Sequence, residues 1–248
     1  MGFNLVKKNI IQDEWLGKIL KKKVYKLVID ENFIIKIKDK KSKEYNELFE
    51  IINKKNVFVY SKIPSTSIEQ VEFLENLGFN LIDTNIIFEK EVFSQNKKYQ
   101  YEIRFAIKND EKKVKELSKK SFRFSRFHLD EKIPNKLANE IKYKWVENFF
   151  KGNRGDNMVV AIIDNNIVGF LLIIKKNESI IIDLIALDEK YHGKQIAEEM
   201  IKFTENNFKR IDKIIVGTQI ANIPSIRFYE KCGFRVIKSN YVFHYHNK

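Results

Sequence analysis

Hydrophobic and polar positions along this chain fall into short runs that switch between a helical spacing and a strand-like one. The N-terminal part predicts a helix around Gln12–Lys22, apolar strands at Val24–Ile29 and Phe33–Ile37, and a helix near Ser42–Asn53. A strand at Val57–Tyr60, a helix at Ile68–Leu77 and a strand at Asn80–Glu89 follow. The polar stretch Ser94–Gln100 reads as a linker. Beyond it come a strand at Tyr101–Ile107, a helix at Asp110–Lys120, an irregular segment at Ser121–Asp130 and a helix from near Pro134 to Phe150. Proline suits a first helical turn, where its missing N–H costs nothing, and Gly152 suits the exit. Three strand-like runs, Met158–Asp164, Asn166–Lys175 and Ser179–Leu187, read as a meander of hairpins whose first turn is Asn165-Asn166, so the sheet is expected to be mainly antiparallel. A helix at Gln195–Phe208, a strand at Lys213–Thr218, a helix at Ile223–Cys232 and a strand at Arg235–His246 complete the pattern.

Part of this pattern occurs twice. Sliding Phe73 onto Phe228 lays Phe73-Leu-Glu-Asn-Leu-Gly78-Phe79 over Phe228-Tyr-Glu-Lys-Cys-Gly233-Phe234, and the match continues through Ile82/Ile237, Asn85/Asn240 and Phe88/Phe243. Each copy reads as a helix, a glycine at the left-handed cap and a phenylalanine opening the next strand. The copies differ at Leu74, which stands opposite Tyr229, and at Ser67, opposite Asn222. Two related halves are expected, residues 1–97 and 98–248.

The 248 residues are 44% hydrophobic, enough for substantial cores. A formal net charge of +13 raises nucleic-acid binding, but the lysines are scattered among glutamates in every segment. That distribution favours a general positive field for small anionic ligands over a phosphate-backbone groove. No apolar run approaches the roughly 20 residues of a membrane span, and Met1–Lys8 lacks the zones of a signal peptide, so a cytoplasmic location is expected. The single cysteine, Cys232, reads as a packed thiol. No cluster has zinc-site spacing and no Gly-x-Ser-x-Gly is present, so neither a metal nor a serine nucleophile is expected.

From residue 101 onward the order β-α-α-β-β-β-α-β-α-β resembles the GNAT superfamily of acyl-CoA N-acetyltransferases. The resemblance implies an α/β (α+β) fold with a central, mainly antiparallel twisted sheet, preceded by a truncated GNAT-like N-terminal half. That half is expected to be structural, with a role in a homodimer as the alternative.

Three constellations carry chemistry. The first, Ile185-Ala-Leu187-Asp-Glu-Lys-Tyr-His192-Gly193-Lys194-Gln195-Ile196-Ala197, runs from a strand through a basic turn into a helix, whose start can hold a pyrophosphate. It is similar to the acetyl-CoA loop of GNAT enzymes, Arg/Gln-x-x-Gly-x-Gly/Ala, with His192 at the Arg/Gln position, Gln195 at the central glycine and Ala197 at the last small residue. Read by itself, the turn serves equally as an ordinary strand-to-helix connection.

The second constellation is Asn222, Ser225, Tyr229 and Gly233. A tyrosine in mid-helix is by default a packing residue. The resemblance implies more: that Tyr229 protonates the departing thiolate, that Asn222 orients the pantetheine arm, and that Asp183 is the base. Strand alternation places Asp183 on the sheet face of Ile185 and Leu187. The plainer reading of Asp183 is a partner for a neighbouring lysine or backbone group.

The third is Ser125-Arg126-Phe127-His128-Leu-Asp130, with Asn139, Tyr143, Trp145 and Asn148 on the next helix. Ser-Arg-Phe and the run Trp145-Val-Glu-Asn-x-x-x-Gly152 resemble the TDP-fucosamine acetyltransferase branch, which acetylates the amine of a nucleotide-linked 4-amino-4,6-dideoxyhexose. The resemblance implies acetyl-CoA as cosubstrate and an amino-sugar nucleotide as acceptor, bound by Arg126, His128, Tyr143 and Asn148. Arginine can grip a diphosphate through two bonds, and His or Asn can bond hydroxyls. Aromatic packing alone is the alternative for this segment. The rival functions are acetyl transfer to a protein or small-molecule amine, and a non-catalytic CoA-binding module.

Overall fold

The computed structural model describes residues 9–92 and 98–247. The N-terminal octapeptide read for a leader, and residues 94–97 of the expected linker, lie outside the described residues. The chain forms two compact units: one of residues up to Asn85 with Leu129–Lys132 and the stretch from Ser239, the other of Ile86–His128 and Ile133–Lys238.

In the first unit, β1 (Ile10–Gln12) runs antiparallel to β2 (Lys23–Leu27), and β2 runs parallel to β3 (Val57–Pro64). The C-terminal part of β10 (Arg235–Asn247) pairs antiparallel with β3, from Asn240 opposite Pro64 to Asn247 opposite Val57. Helices α1 (Glu14–Leu20), α2 (Glu31–Lys38), α3 (Lys43–Ile52) and α4 (Ile68–Asn76) accompany these strands. Leu27, Phe33, Leu48, Val57, Leu74 and Phe243 make the core.

Phe33–Ile37, expected as a strand, is the body of α2. The Asp30 side chain accepts from the Phe33 N–H at 2.8 Å, an N-cap that nucleates a helix. Phe33, Ile34 and Ile37 then fall on one buried face while Ile35 is left exposed. A five-residue run of four apolar residues and a lysine does not distinguish the two states without its cap.

After β4 (Asn80–Glu91) in the chain, the second unit holds the order β9-β8-β7-β6-β5. Here β5 (Glu102–Phe105), β6 (Asn157–Ile163), β7 (Asn166–Lys176) and β8 (Ser179–Leu187) are antiparallel, and β9 (Lys213–Gln219) is parallel to β8. The β6–β7 turn is Asp164-Asn165, one residue earlier than expected, with both φ angles positive (48° and 60°), the twist a two-residue hairpin needs. Alternate residues of each strand separate into two cores. Val159, Ala161 and Leu171 pack with Ile196, Met200 and Ile201 of α7 (Ile196–Asn207) and with Tyr229 of α8 (Ile223–Lys231). Met158, Val160, Phe170 and Leu172 pack with Val114 of α5 (Glu111–Lys120) and Val146 of α6 (Asn135–Phe150).

The repeated pattern folds in the same way twice: α4 and α8 are each 9 residues long, and the glycines that follow have φ of 81° (Gly78) and 86° (Gly233). Leu74 and Tyr229, at equivalent positions, are both buried.

Candidate functional site

Strands β8 and β9 pair only from Ser179 opposite Lys213 to Ile182 opposite Val216. Past that point, among the described residues, Asp183–Leu187 pairs with no residue of β9, so one edge of β8 lies outside the ladder there. At this vertex β8 is also bulged, because Leu172 pairs Leu184 while Ile173 pairs Ile182, which leaves Asp183 as the extra residue. The bulge breaks the alternation expected from sequence. Ile185 and Leu187 pack with the α7/α8 core, whereas Asp183 turns to α6.

Beyond Leu187 the chain makes a one-turn helix and then enters α7 through two left-handed residues, Gly193 (φ 77°) and Gln195 (φ 61°). Gln195 therefore adopts the backbone that favours glycine although it carries a side chain. No side chain caps α7, whose first N–H groups lack intrahelical partners. The two acidic residues of that turn are engaged elsewhere: Glu199 accepts from the backbone of Gln100 and Tyr101, and Glu198 from Lys202. His192 donates from Nε2 to the Leu187 carbonyl (3.2 Å), and the Lys194 carbonyl accepts from the Tyr101 hydroxyl (3.0 Å), so both residues hold the turn in place. A strand edge opening from a vertex towards an uncapped helix start suits an extended molecule with a phosphate at one end.

Asn222 caps α8 by accepting from the Ser225 N–H (3.3 Å) and donates to Thr218 Oγ1 on β9 (3.2 Å). Ser67, its counterpart in the first unit, makes no side-chain cap. Tyr229 lies among Phe88, Phe228 and Phe234 at ring separations of 5.3–5.7 Å. Burial pushes its hydroxyl well above the ordinary tyrosine value, with Cys232 adding to the shift, so the hydroxyl is protonated at neutral pH. Burial likewise pushes the Cys232 thiol up to about 11, in line with a packed thiol.

Asp183 is gripped on both oxygens. Arg154 donates to Oδ2 from Nε (2.6 Å) and to Oδ1 from Nη2 (2.7 Å), and Trp145 Nε1 donates to Oδ2 (2.9 Å). Burial raises its carboxyl above the usual carboxylate range despite the opposing guanidinium. Beside it on α6, Lys142 lies against the Trp145 and Phe122 rings at 4.4 and 4.8 Å, and burial pushes its amine down to about 7.

On the same side of the unit, Glu116, Lys119, Lys120, Phe122, Arg123, His128, Asn135 and Asn139 line a cleft of about 690 Å³. His128 lies 2.6 Å from Ser125 Oγ through Nδ1 and 2.9 Å from Asn139 Oδ1 through Nε2. The Asn139 oxygen can only accept, so Nε2 carries the hydrogen there. Burial lowers the His128 pKa, against the opposing hydrogen bond to Asn139.

This architecture has relatives. Residues 113–234 match the Acetyltransferase (GNAT) family. The chain carries a GNAT acetyltransferase domain. It is 30% identical over 137 residues to the spore coat polysaccharide biosynthesis protein SpsD of Bacillus subtilis (strain 168). That match takes in 54% of this chain and 47% of SpsD, so the chain spans about half the length of the curated relative it matches. Among solved structures it is similar to a functionally unknown conserved protein from Staphylococcus epidermidis ATCC 12228 (TM-score 0.62, 16% identity, 94% of this chain and 89% of that one). It is also similar to a GCN5-related N-acetyltransferase from Sphaerobacter thermophilus (TM-score 0.59, 10% identity, 95% and 75%).

Within the GNAT domain the sequence-predicted residues sort into three places. Ile185, Leu187, His192, Gly193, Lys194, Gln195, Ile196 and Ala197 lie along the β8 edge and the turn into α7. Asn222 and Tyr229 lie on α8, and Asp183 marks the vertex. Of the expected acceptor residues, His128 reaches the cleft and Arg126 stacks on Phe127 at 4.4 Å. Tyr143 instead faces α5, its ring receiving Lys115 at 4.8 Å and Lys119 at 5.7 Å. Asn148 stands near the end of α6, where its carbonyl accepts from Asn153. Sequence reasoning missed Lys142 and Arg154. The signal for Arg154 was faint, an arginine between Gly152 and Gly155, both at φ 74°. Lys142 was one lysine among many.

Proposed function

We propose that this protein moves an acetyl group from acetyl-CoA directly to the amine of a nucleotide-linked amino-dideoxy sugar. The observation that carries the reading is the succession of three features along one stretch of chain: the β8/β9 vertex at Ile182, the bulge at Asp183 and, past the end of β8, the left-handed turn at Gln195 leading into an uncapped helix. At about 3.3 Å per residue, Asp183 lies about 13 Å along the strand from Leu187. An extended pantetheine arm with its pyrophosphate at the α7 turn therefore brings its thioester to the vertex.

In this reading, main-chain N–H groups of the unpaired Asp183–Leu187 edge bond the pantetheine arm and the thioester carbonyl, stabilising negative charge as it develops there. Gly193, Lys194, Gln195, Ile196 and Ala197 cradle the pyrophosphate, with His192 holding the turn to β8. Asn222 fixes the start of α8, and Tyr229 gives its proton to the thiolate. The acceptor enters on the α6 side, where Arg126, His128 and the basic rim of the cleft suit a diphosphate and sugar hydroxyls. The name of SpsD, a polysaccharide biosynthesis protein, supports a sugar acceptor over a peptide one.

Thiol release from acetyl-CoA, measured with UDP- and dTDP-linked 4-amino-4,6-dideoxy sugars beside polyamine and peptide amines, tests this. Turnover with the sugar nucleotides alone is expected. Turnover confined to the other amines overturns the sugar assignment and keeps the chemistry, whereas no turnover and no CoA binding overturns both.

A further inference from the structure

Lys142 is 7% exposed, and its amine is surrounded by rings instead of acceptors. Among the described residues it has no hydrogen-bond or ion-pair partner. The charged groups that it feels are Asp183 on β8, which attracts a positive charge, and Arg154 and Arg126, which oppose one. His128 in turn senses Lys142. From α5 the Ser118 hydroxyl reaches the Lys142 carbonyl (3.5 Å) and not its amine. A buried lysine without an acceptor is costly as an ammonium, a cost that the two ring faces offset only in part, so this amine gives up its proton far more readily than a surface lysine.

The carboxylate next to it is differently placed. Asp183 already accepts three N–H bonds, from Arg154 twice and from Trp145, which commits most of its acceptor capacity. Its charge is still close enough to favour an ammonium at Lys142. Phe122 and Asn139, which line the cleft, also flank Lys142: its amine stands on the Phe122 ring, and Asn139 is one helical turn earlier on α6.

We propose that Lys142 is the proton acceptor of the transfer reaction and that Asp183 is a positioning residue, stabilising the ammonium that forms. This rests on the acetyltransferase reading above. The acceptor enters as an ammonium. Its N–H bond breaks, the proton passes to Lys142 Nζ, and the freed lone pair forms the C–N bond to the acetyl carbon. As the C–S bond breaks, the sulfur takes the Tyr229 proton, and the second proton on the new amide nitrogen returns to Tyr229. Lys142 then releases its proton to solvent, so that ammonium and thioester become amide, thiol and one proton.

The test combines kcat and kcat/KM against pH for the wild type, Lys142→Met, Lys142→Arg and Asp183→Asn with NMR titration of the lysine side chains of the full chain. Lys142 is expected to titrate near neutrality. Lys142→Met and Lys142→Arg are both expected to lose about 100-fold or more in kcat, with KM for acetyl-CoA within about twofold and the near-neutral acid limb of the profile gone. Asp183→Asn is expected to move that limb to lower pH, because the attraction that favours the ammonium is removed. A Lys142→Arg enzyme of near wild-type rate shows that charge suffices and overturns the proposal. So does a Lys142→Met enzyme that keeps the acid limb, or a Lys142 amine titrating at the ordinary lysine value. If the wild type turns over no amine at all, the acetyltransferase reading falls first and this one with it, an outcome distinct from an active wild type with unaffected variants.

Discussion

Arg154 holds Asp183 through two bonds, Nε to Oδ2 at 2.6 Å and Nη2 to Oδ1 at 2.7 Å, and together with Trp145 Nε1 of α6 (2.9 Å to Oδ2) this fixes the bulged residue of β8. The carboxylate side chain is 11% exposed and the arginine 33%. Removing the arginine strands a nearly buried carboxylate, but solvent at the exposed partner softens the loss. Arg154→Ala is expected to cost about 2 kcal/mol, below the roughly 3–5 kcal/mol of a fully buried pair. Arg154→Ala/Asp183→Asn should recover part of it. Urea denaturation of the two single variants and the double variant gives the coupling energy, and additive losses would show that the pair does not act as a unit.

Tyr229→Phe keeps the ring that packs on Phe88, Phe228 and Phe234 and removes only the hydroxyl. If that hydroxyl protonates the thiolate, kcat falls about 100-fold with KM for acetyl-CoA little changed and Tm within a few degrees. Steady-state kinetics beside a thermal melt checks this. A rate within twofold of wild type removes Tyr229 from the acid role.

Gln195 sits at φ 61° and Gly193 at φ 77°. Gln195→Gly relieves the left-handed strain and is expected to stabilise the fold by up to about 1 kcal/mol. Gly193→Ala imposes the same kind of strain with no side-chain clash within 4 Å, so it should destabilise by about 1 kcal/mol. Calorimetric titration with CoA on both variants tests the turn as a pyrophosphate cradle. Affinity should fall with Gly193→Ala and hold or rise with Gln195→Gly.

Asp130 is buried and accepts from His244 Nδ1 (2.6 Å) and His246 Nε2 (2.7 Å), beneath the Phe58 ring. Burial alone would raise its pKa, but the two imidazole hydrogen bonds outweigh it and hold the carboxyl well below the usual range. A carboxylate whose folded pKa is depressed contributes stability that is present above its unfolded value, near 3.9, and lost as pH falls through the folded value. The urea midpoint is therefore expected to hold from pH 7 to about pH 5 and drop below about pH 4. Asp130→Asn should cost about 3 kcal/mol at pH 7 and flatten the acid limb. An unchanged limb in that variant would place the acid sensitivity elsewhere.

The doubled Gly-Phe pattern, the meander and the element order from Tyr101 onward were legible in the sequence because they are local. Caps, turn residues and periodicity act over a few positions, and Gly78 and Gly233 carry the same positive φ in both copies. The turn at Gln195 was visible for the same reason, although its left-handed backbone was not. Sequence could not show that Asp183 leaves the face of Ile185 and Leu187, since a bulge is set by pairing with β7 and only the sheet registers it. Nor could it distinguish Lys142 from the other lysines, or join Asp130 to His244 and His246 across more than a hundred residues. Burial and partnership are properties of the packed chain: the same lysine is a solvated charge on a surface and a readily deprotonated amine between two rings, and only tertiary structure decides which it becomes.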